Sequence, residues 1–306
     1  MRTNYPIYIV SKGRHKSRLT AKALERMNVD YYIVVEKQEY DLYCSVIQKE
    51  KVLILDAKYQ DEYETCDDLG STKSKGPGEA RNFACQHSIS SGFKRHWVMD
   101  DNIHGFHRLN RNEKNESYTG AIFEAAEDFI DRYENIAIAG LNYKFFAKAS
   151  QELPPFICNT RIYSCLLIQN DIPYRWRGRY NEDTDLSLRV LKDGLCTLQF
   201  NAFLQDKAMT QTIAGGNTEE FYKHEGTKAK SQMIEDLHPD VCSVVYKFGR
   251  WHHHCNYSFF KKNNKLRRKQ NYVFKQKVNN YGMKLSAVIR SNPQQIRSSG
   301  DLNIPP

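Results

Sequence analysis

The feature that most constrains this chain is the repeated exchange of short apolar stretches with helical or polar ones across its first 105 residues. Tyr5–Val10, Tyr31–Val35, Val52–Leu55 and His96–Met99 are largely apolar, with little alternation. This predicts strands covered on both faces rather than half-exposed ones. Between them, Thr20–Met27 brings Leu19, Ala23 and Met27 to one helical face, Gln38–Lys49 reads as a short helix, and Glu79–Ser90 as a longer one. Strands separated by short helical connections predict an α/β chain with a mostly parallel, doubly wound sheet flanked by helices. Ligands of such sheets bind outside the carboxyl ends of the strands, so the residues that end each strand carry the functional interest.

The middle of the chain is less regular. Ala121–Tyr133 is an amphipathic helix and Ile136–Leu141 a strand; Ile157–Asn159 and Ile162–Ile168 read as further strands, with an antiparallel arrangement open to them. Asp183–Lys192 is a helix that buries Leu186, Val190 and Leu191, and Gly194 closes it at the C′ position. Asn181 stands where a helix cap is expected. Leu195–Phe200 is a strand, and Phe221–Leu237 reads as a loop and a helix. The expected organisation is a catalytic-type domain over 1–244, a basic aromatic element packed on it over 245–290, and a loose polar tail over 291–306.

Charge supports that division. From Val241 onward there are thirteen Lys and Arg against one acid, Asp301, so this segment carries +12 while the preceding 240 residues carry −3. Such asymmetry points to a polyanionic partner. No apolar run approaches the ~18 residues of a membrane span, and the apolar stretch Pro6–Val10 is shorter than the roughly 7–15 residues of a signal-peptide core. Eight cysteines, at 44, 66, 85, 158, 165, 196, 242 and 255, show no CxxC and no close spacing. They read as reduced thiols of a cytoplasmic protein.

Two acidic stations carry chemistry. The first, Met99-Asp100-Asp101-Asn102, ends an apolar strand. Two carboxylates and an amide there suit a hard divalent cation such as Mg²⁺ or Mn²⁺ bridging to phosphates, or simply a turn. Upstream, Gly76-Pro77-Gly78-Glu79-Ala80-Arg81-Asn82 leads into a helix and brings Arg81 within reach of a diphosphate or of the acidic cluster. The second, Tyr180-Asn181-Glu182-Asp183-Thr184-Asp185, opens a helix, where acids oppose the helix dipole or supply a general base for an acceptor hydroxyl. Near the first strand, Ser11-Lys12-Gly13-Arg14 offers cations for phosphate, and Glu36 ends the second strand, where it can accept from a base or a ribose.

The stretch Gly76–Asn102 resembles the GT-A glycosyltransferase fold, in which an acidic cluster, usually Asp-any-Asp, holds the metal bound to a nucleotide-sugar diphosphate. The third position here is Asn102. The second station resembles the same enzymes: Glu182-Asp183, Arg189 and Gly194 match an acidic pair that opens a helix, with a following Arg and a closing Gly. The resemblance implies Asp183 as the base of an inverting transfer, with Glu182 orienting it or meeting the acceptor. It also implies a late His on the metal or diphosphate, His224 before His238, and Lys228 and Lys230 as diphosphate partners. The loop at 11–14 and both stations together resemble the TET-associated glycosyltransferases, over about Pro6 to Val241. These include phage enzymes that place sugars on 5-hydroxymethylcytosine in DNA.

That resemblance implies a UDP-sugar donor, with glucose or a pentose such as arabinose transferred to 5-hydroxymethylcytosine in phage DNA, protecting it from host nucleases. It makes Ser11, Lys12, Arg14, Glu36, Arg81, Asp100 and Lys228 donor residues, and Asp100, Asp101, Asn102 and His224 metal residues. From composition, Arg250, Trp251, Lys261, Lys262, Lys265, Arg267, Arg268 and Lys269 interleave with rings, a mixture that engages phosphates and stacks on bases. A monomer in the host-cell cytoplasm is expected, with no membrane partner. The competing readings are a protein O-glycosyltransferase of the same fold and a non-catalytic DNA-binding protein on a decayed transferase fold.

Overall fold

The computed structural model describes residues 3–68, 75–148, 150–208 and 228–273. Residues 1–268 form one compact unit; residues 269–306 separate as a second, of which 269–273 are described. His224, the end of the basic segment and the polar tail therefore lie outside the described residues.

Strand β1 (Ile7–Val10) shows why its sequence is apolar throughout. Ile7 and Ile9 enter the larger core on one face of the sheet, while Tyr8 and Val10 enter a second core on the other. β2 (Tyr32–Val35) and β3 (Val52–Ile54) extend the sheet in parallel on one side of β1, and β4 (Arg95–Asp100) pairs in parallel on the other. Helices α1 (Leu19–Arg26), α2 (Tyr40–Cys44), α3 (Ala57–Asp61) and α4 (Gly78–Ser90) make the connections. The chain thus reverses its direction of travel across the sheet between β1 and β4, which opens a crevice at their carboxyl ends.

Beyond β4 the expectation of a mostly parallel sheet holds only in part. The order β3-β2-β1-β4-β9-β7-β10-β5-β6, with β8 also on β10, mixes both directions. β5 (Ile103–Asn110), β6 (Glu113–Glu116), β8 (Phe156–Cys158) and β9 (Cys165–Gln169) pair antiparallel with their neighbours, and β7 (Ile136–Tyr143) and β10 (Cys196–Lys207) pair in parallel. The hairpin β5–β6 has no counterpart in the sequence reading because all four side chains of β6 are exposed and present no apolar pattern. Helix α5 (Ala121–Ile130) packs Phe123, Ala126 and Ile130 into the larger core. Helix α6 (Glu182–Lys192) packs Leu186 and Val190 on the opposite face. Gly194 takes φ 79° beyond α6, as the C′ position demands.

After helix α7 (Lys228–Leu237), β11 (Cys242–Lys247) and β12 (Arg250–Cys255) form a separate hairpin, followed by a 3₁₀ turn over Tyr257–Asn264. The expectation of eight reduced thiols fails at one pair. Cys242 and Cys255 face each other at the base of this hairpin and form a disulfide. Antiparallel pairing brings together residues that their sequence spacing keeps apart. Among the described residues no helix is long and apolar enough to cross a membrane.

The tightest approach in the sheet lies at Gly140 of β7. A Cβ there would clash with Ile162 Cγ2 and with the Cys165 carbonyl oxygen. Gly140→Ala is expected to destabilise the fold by about 1–3 kcal/mol, as overpacking does, seen as a lower denaturant midpoint with an unchanged m-value.

Candidate active site

The carboxyl ends of β1 and β4 bring the first loop and the first acidic station together. Ser11 Oγ donates to Asp101 Oδ2 (2.6 Å) and shares a hydrogen bond with Tyr43 Oη (2.6 Å), while Arg14 Nη1 pairs with Asp101 Oδ1 (2.5 Å). Burial raises Asp101; the Arg14 charge and the Ser11 hydrogen bond oppose that rise. Lys12 pairs with Glu36 (3.1 Å) at the neighbouring ends of β1 and β2. The four donor-loop expectations Ser11, Lys12, Arg14 and Glu36 therefore lie along one edge of the crevice.

Arg81 joins the two acidic stations. It stands in the first turn of α4, is 2% exposed, and stacks on the Trp176 ring at 4.5 Å. Its Nη2 binds Asp100 Oδ1 (2.8 Å), and its Nη1 binds Glu182 Oε1 (2.9 Å) and Asp183 Oδ1. The other Asp100 oxygen receives Lys207 Nζ (2.7 Å), which also donates to Ser164 Oγ (2.7 Å). Burial acts to raise Asp100, yet Lys207 and Arg81 outweigh it and hold the carboxyl well below its usual range. Glu182 goes the other way. Burial, then the charge of Asp183, push it up to about 7 against the pull of Arg81.

The start of α6 differs from the expected cap. Asn181 adopts φ 54° and its side chain makes no cap; its Nδ2 instead donates to the Lys230 carbonyl of α7 (2.5 Å). Asn tolerates this left-handed conformation better than most residues. Glu182 and Asp183 follow directly and meet Arg81. Two residues on, Asp185 is fully buried and serves a different purpose. Arg189, Arg177 and His238 Nε2 bind it at 2.7, 3.3 and 2.9 Å. With Lys192 donating to His238 Nδ1 (3.0 Å), both ring nitrogens are engaged in tying α6 to α7. His238 is thereby set aside as a late ligand, because neither nitrogen is left for one. Lys228 lies over the Trp251 ring of the hairpin at 5.4 Å.

A divalent cation at Asp100, Asp101 and Asn102 fits in one respect. Among the described residues, Asn102 Oδ1 is buried with no hydrogen-bond partner, and an amide oxygen beside carboxylates is hard-ion donor chemistry. Charge fits less well, since both carboxylates already face cations. Among the described residues no group of three or more His, Cys, Asp and Glu converges on a point.

Several residues of the site had no sequence signal. Lys207 ends β10 after a stretch with nothing to mark it, and reaches Asp100 only because β10 runs beside β5. Ser164, Tyr143 and Trp176 are equally tertiary choices. Tyr143 Oη shares a hydrogen bond with Ser164 Oγ (2.8 Å), and Tyr163 Oη shares one with Thr184 Oγ1 (3.2 Å). These two tyrosines stack (6.4 Å, 24°) and line a cavity of about 390 Å³ with Phe146, Arg161, Gln199 and Asn201. The cavity lies on the β7–β10 side of the cluster, whereas Glu36 lies on the β2 side. The basic residues Arg250, Lys261, Lys262, Lys265, Arg267 and Arg268 are exposed, as is Trp251. Arg267 pairs with Glu134 at 3.1 Å. Lys269, in the second unit, is exposed too.

Comparison with known families finds that the profile described as TET-Associated Glycosyltransferase matches residues 5–216. No curated protein matches the chain. The matched span holds both acidic stations, Arg81 and Lys207, and ends before α7 and the basic hairpin.

Arg81→Met would leave three buried carboxylates without their shared cation and is expected to cost about 3–5 kcal/mol near pH 8. The sign with pH follows. Unpaired buried acids bind protons more readily in the folded state, so stability of the variant falls as pH rises. Chemical denaturation at pH 5 and pH 8 checks this, with the larger deficit expected at pH 8.

Proposed function

The chain belongs to the TET-associated glycosyltransferase family, a glycosyltransferase family of DNA modification, and from that premise we propose that it moves a sugar from a UDP-sugar to the hydroxymethyl group of 5-hydroxymethylcytosine in DNA. The sugar is glucose or a pentose such as arabinose, and the acceptor is phage DNA, which the sugar would shield from host nucleases. One observation carries the reading: the two acidic stations, far apart in sequence, meet on the Arg81 guanidinium at the switch point of the sheet.

The chemistry follows from that meeting. Glu36 and Lys12 would meet the nucleoside end of the donor, and Arg14, Arg81 and Lys207 its diphosphate. As the bond between the anomeric carbon and the diphosphate oxygen breaks, UDP leaves with the electron pair, and these cations balance the growing charge. The acceptor oxygen forms the new bond to the anomeric carbon while its proton passes to the Glu182–Asp183 pair. We assign the proton to Asp183 and a partnering role to Glu182, an arrangement that inverts the anomeric centre. Diphosphate binding would draw Arg81 from the pair and free it to act. A divalent cation, held by Asp100, Asp101 and Asn102 Oδ1 with His224, would add charge against the diphosphate.

Support for DNA as the carrier of the acceptor comes from the exposed cations of the hairpin and the residues after it, a segment with no acid of its own up to Val273. Mass spectrometry of nucleosides is the direct test, after incubating the protein and a panel of UDP-sugars with hydroxymethylated DNA, unmodified DNA and a protein acceptor. A sugar mass on 5-hydroxymethylcytidine alone is expected; its absence with every donor sinks the reading.

With the donor identified, Asp183→Asn is expected to lower kcat by about 10²–10⁴ while DNA binding persists. Burial and the charge of Asp183 raise Glu182 to about 7, and the pair accepts the proton best with its partner Glu182 ionised, so kcat/KM should climb with pH to about 7 and level off above it. Replacing Lys261, Lys262 and Lys265 by Gln should flatten the dependence of log Kobs on log salt by up to about 0.9 for each phosphate no longer neutralised. Donor affinity, measured by calorimetry, should not change.

A further inference from the structure

The β11–β12 hairpin closes through a two-residue turn, Phe248-Gly249, between the paired Lys247 and Arg250. Both turn residues have positive φ, 53° and 75°, which is the signature of the type I′ turn. Gly249 takes this conformation freely. Phe248 does so against the steric preference of a bulky L residue, at a position that ordinarily takes Asn or Asp. Its ring is also 94% exposed, so burial within the protein does nothing to offset that strain. Strain of this kind persists where the surrounding structure over-determines it, and it gathers at functional sites.

The surrounding structure braces the turn. Cys242–Cys255 staples the base of the hairpin, Tyr246 and Trp251 pack edge-to-face across the strands (5.1 Å), and Lys228 of α7 lies over the Trp251 ring. Lys247 and Arg250 flank the tip, and no acid occurs between Val241 and Val273. The tip therefore presents a single apolar ring set between cations. The complementary partner is a polyanion with apolar gaps at its centre, which describes the stacked bases of duplex nucleic acid. Apolar wedges of this type part base steps at the cost of a few kcal/mol of stacking.

The segment that follows the hairpin is tied to the cavity beside the active site: Asn159 Nδ2 donates to the Phe260 carbonyl (2.9 Å), and the next two residues, Thr160 and Arg161, line that cavity together with Tyr143 and Tyr163. At about 390 Å³ the cavity falls in the lower part of the range of small-molecule sites, roughly 300–1,000 Å³, a size for one nucleoside and not for a duplex.

We propose that the β11–β12 hairpin is a duplex-opening wedge: Phe248 enters the base stack, Lys247 and Arg250 hold the flanking phosphates, and the acceptor nucleotide swings out into the cavity lined by Tyr143, Phe146 and Tyr163. This rests on the reading of DNA as the acceptor-bearing polymer. An extruded base would bring its hydroxymethyl group to the Glu182–Asp183 pair from the side opposite the donor loop.

The test compares the full-length protein with Phe248→Ala and Phe248→Asn on one hydroxymethylated oligonucleotide, supplied single-stranded and as a duplex. In the absence of donor, the fluorescence of 2-aminopurine placed beside the target reports unstacking. Transfer to the duplex is expected to fall about tenfold or more in both variants, with the single-stranded rate within about twofold of wild type, because a single strand needs no opening. The 2-aminopurine signal should rise with wild type and stay flat with both variants. Phe248→Asn should melt at or above the wild-type temperature, since Asn suits the turn, so its loss on duplex is not a folding defect. Equal losses on both substrates, or no loss on duplex, overturn the proposal. If wild type modifies neither form, the acceptor reading fails separately, and the fluorescence comparison still decides the wedge.

Discussion

The structure depends on one buried guanidinium. Arg81 is almost wholly removed from water, yet it is charge-matched by Asp100, Glu182 and Asp183 and stacked on Trp176. Removing charges from water is expensive, and their mutual attraction compensates only with close geometry and satisfied hydrogen bonds. The α4 start, the end of β4 and the α6 start must therefore arrive together. That requirement couples three segments remote in sequence and makes the electrostatics of the crevice a property of the whole sheet.

The cluster is also unevenly charged in a way that suits transfer chemistry. Asp100 is held ionised by two cations, whereas Glu182 is raised toward neutrality by its burial and by Asp183. Carboxylates a few residues or a few ångströms apart thus differ in proton affinity by environment alone, the usual route to separate acid and base roles within one site. Lys207 and Arg81 both pair with Asp100, so two cations stand close together at the end of β4. The second buried network, around Asp185 and His238, anchors α6 to α7 and through it steadies the hairpin.

Much of the parallel half of the sheet was legible because buried parallel strands leave a plain trace. β1, β2 and β3 are built from apolar residues, the middle of β4 (Trp97–Met99) is too, and short helices separate them. The antiparallel half left a weaker one. The charged strand β6 pairs through its backbone and shows nothing of this in its side chains, and β10 continues well past the predicted Phe200 because the β5 edge pairs with its later residues. The loop after β1 and both acidic stations were singled out from their places at strand and helix ends. The disulfide was not found, since it depends on hairpin register, and His238 looked available until its two partners were placed.

The sequence by itself determined the alternating architecture, the two acidic stations, the division between a near-neutral body and a basic end, and a family likeness that the matched span 5–216 bears out. Local rules suffice for these, because apolar runs, helix starts and charge composition act over a few residues. Only the tertiary structure decided that Arg81 joins both stations and that Lys207 completes Asp100. The same is true of the αL conformation in which Phe248 stands at the tip of a stapled hairpin. Each of these is a pairing between distant segments or a backbone angle set by strand register, and short-range sequence pattern carries no information about either.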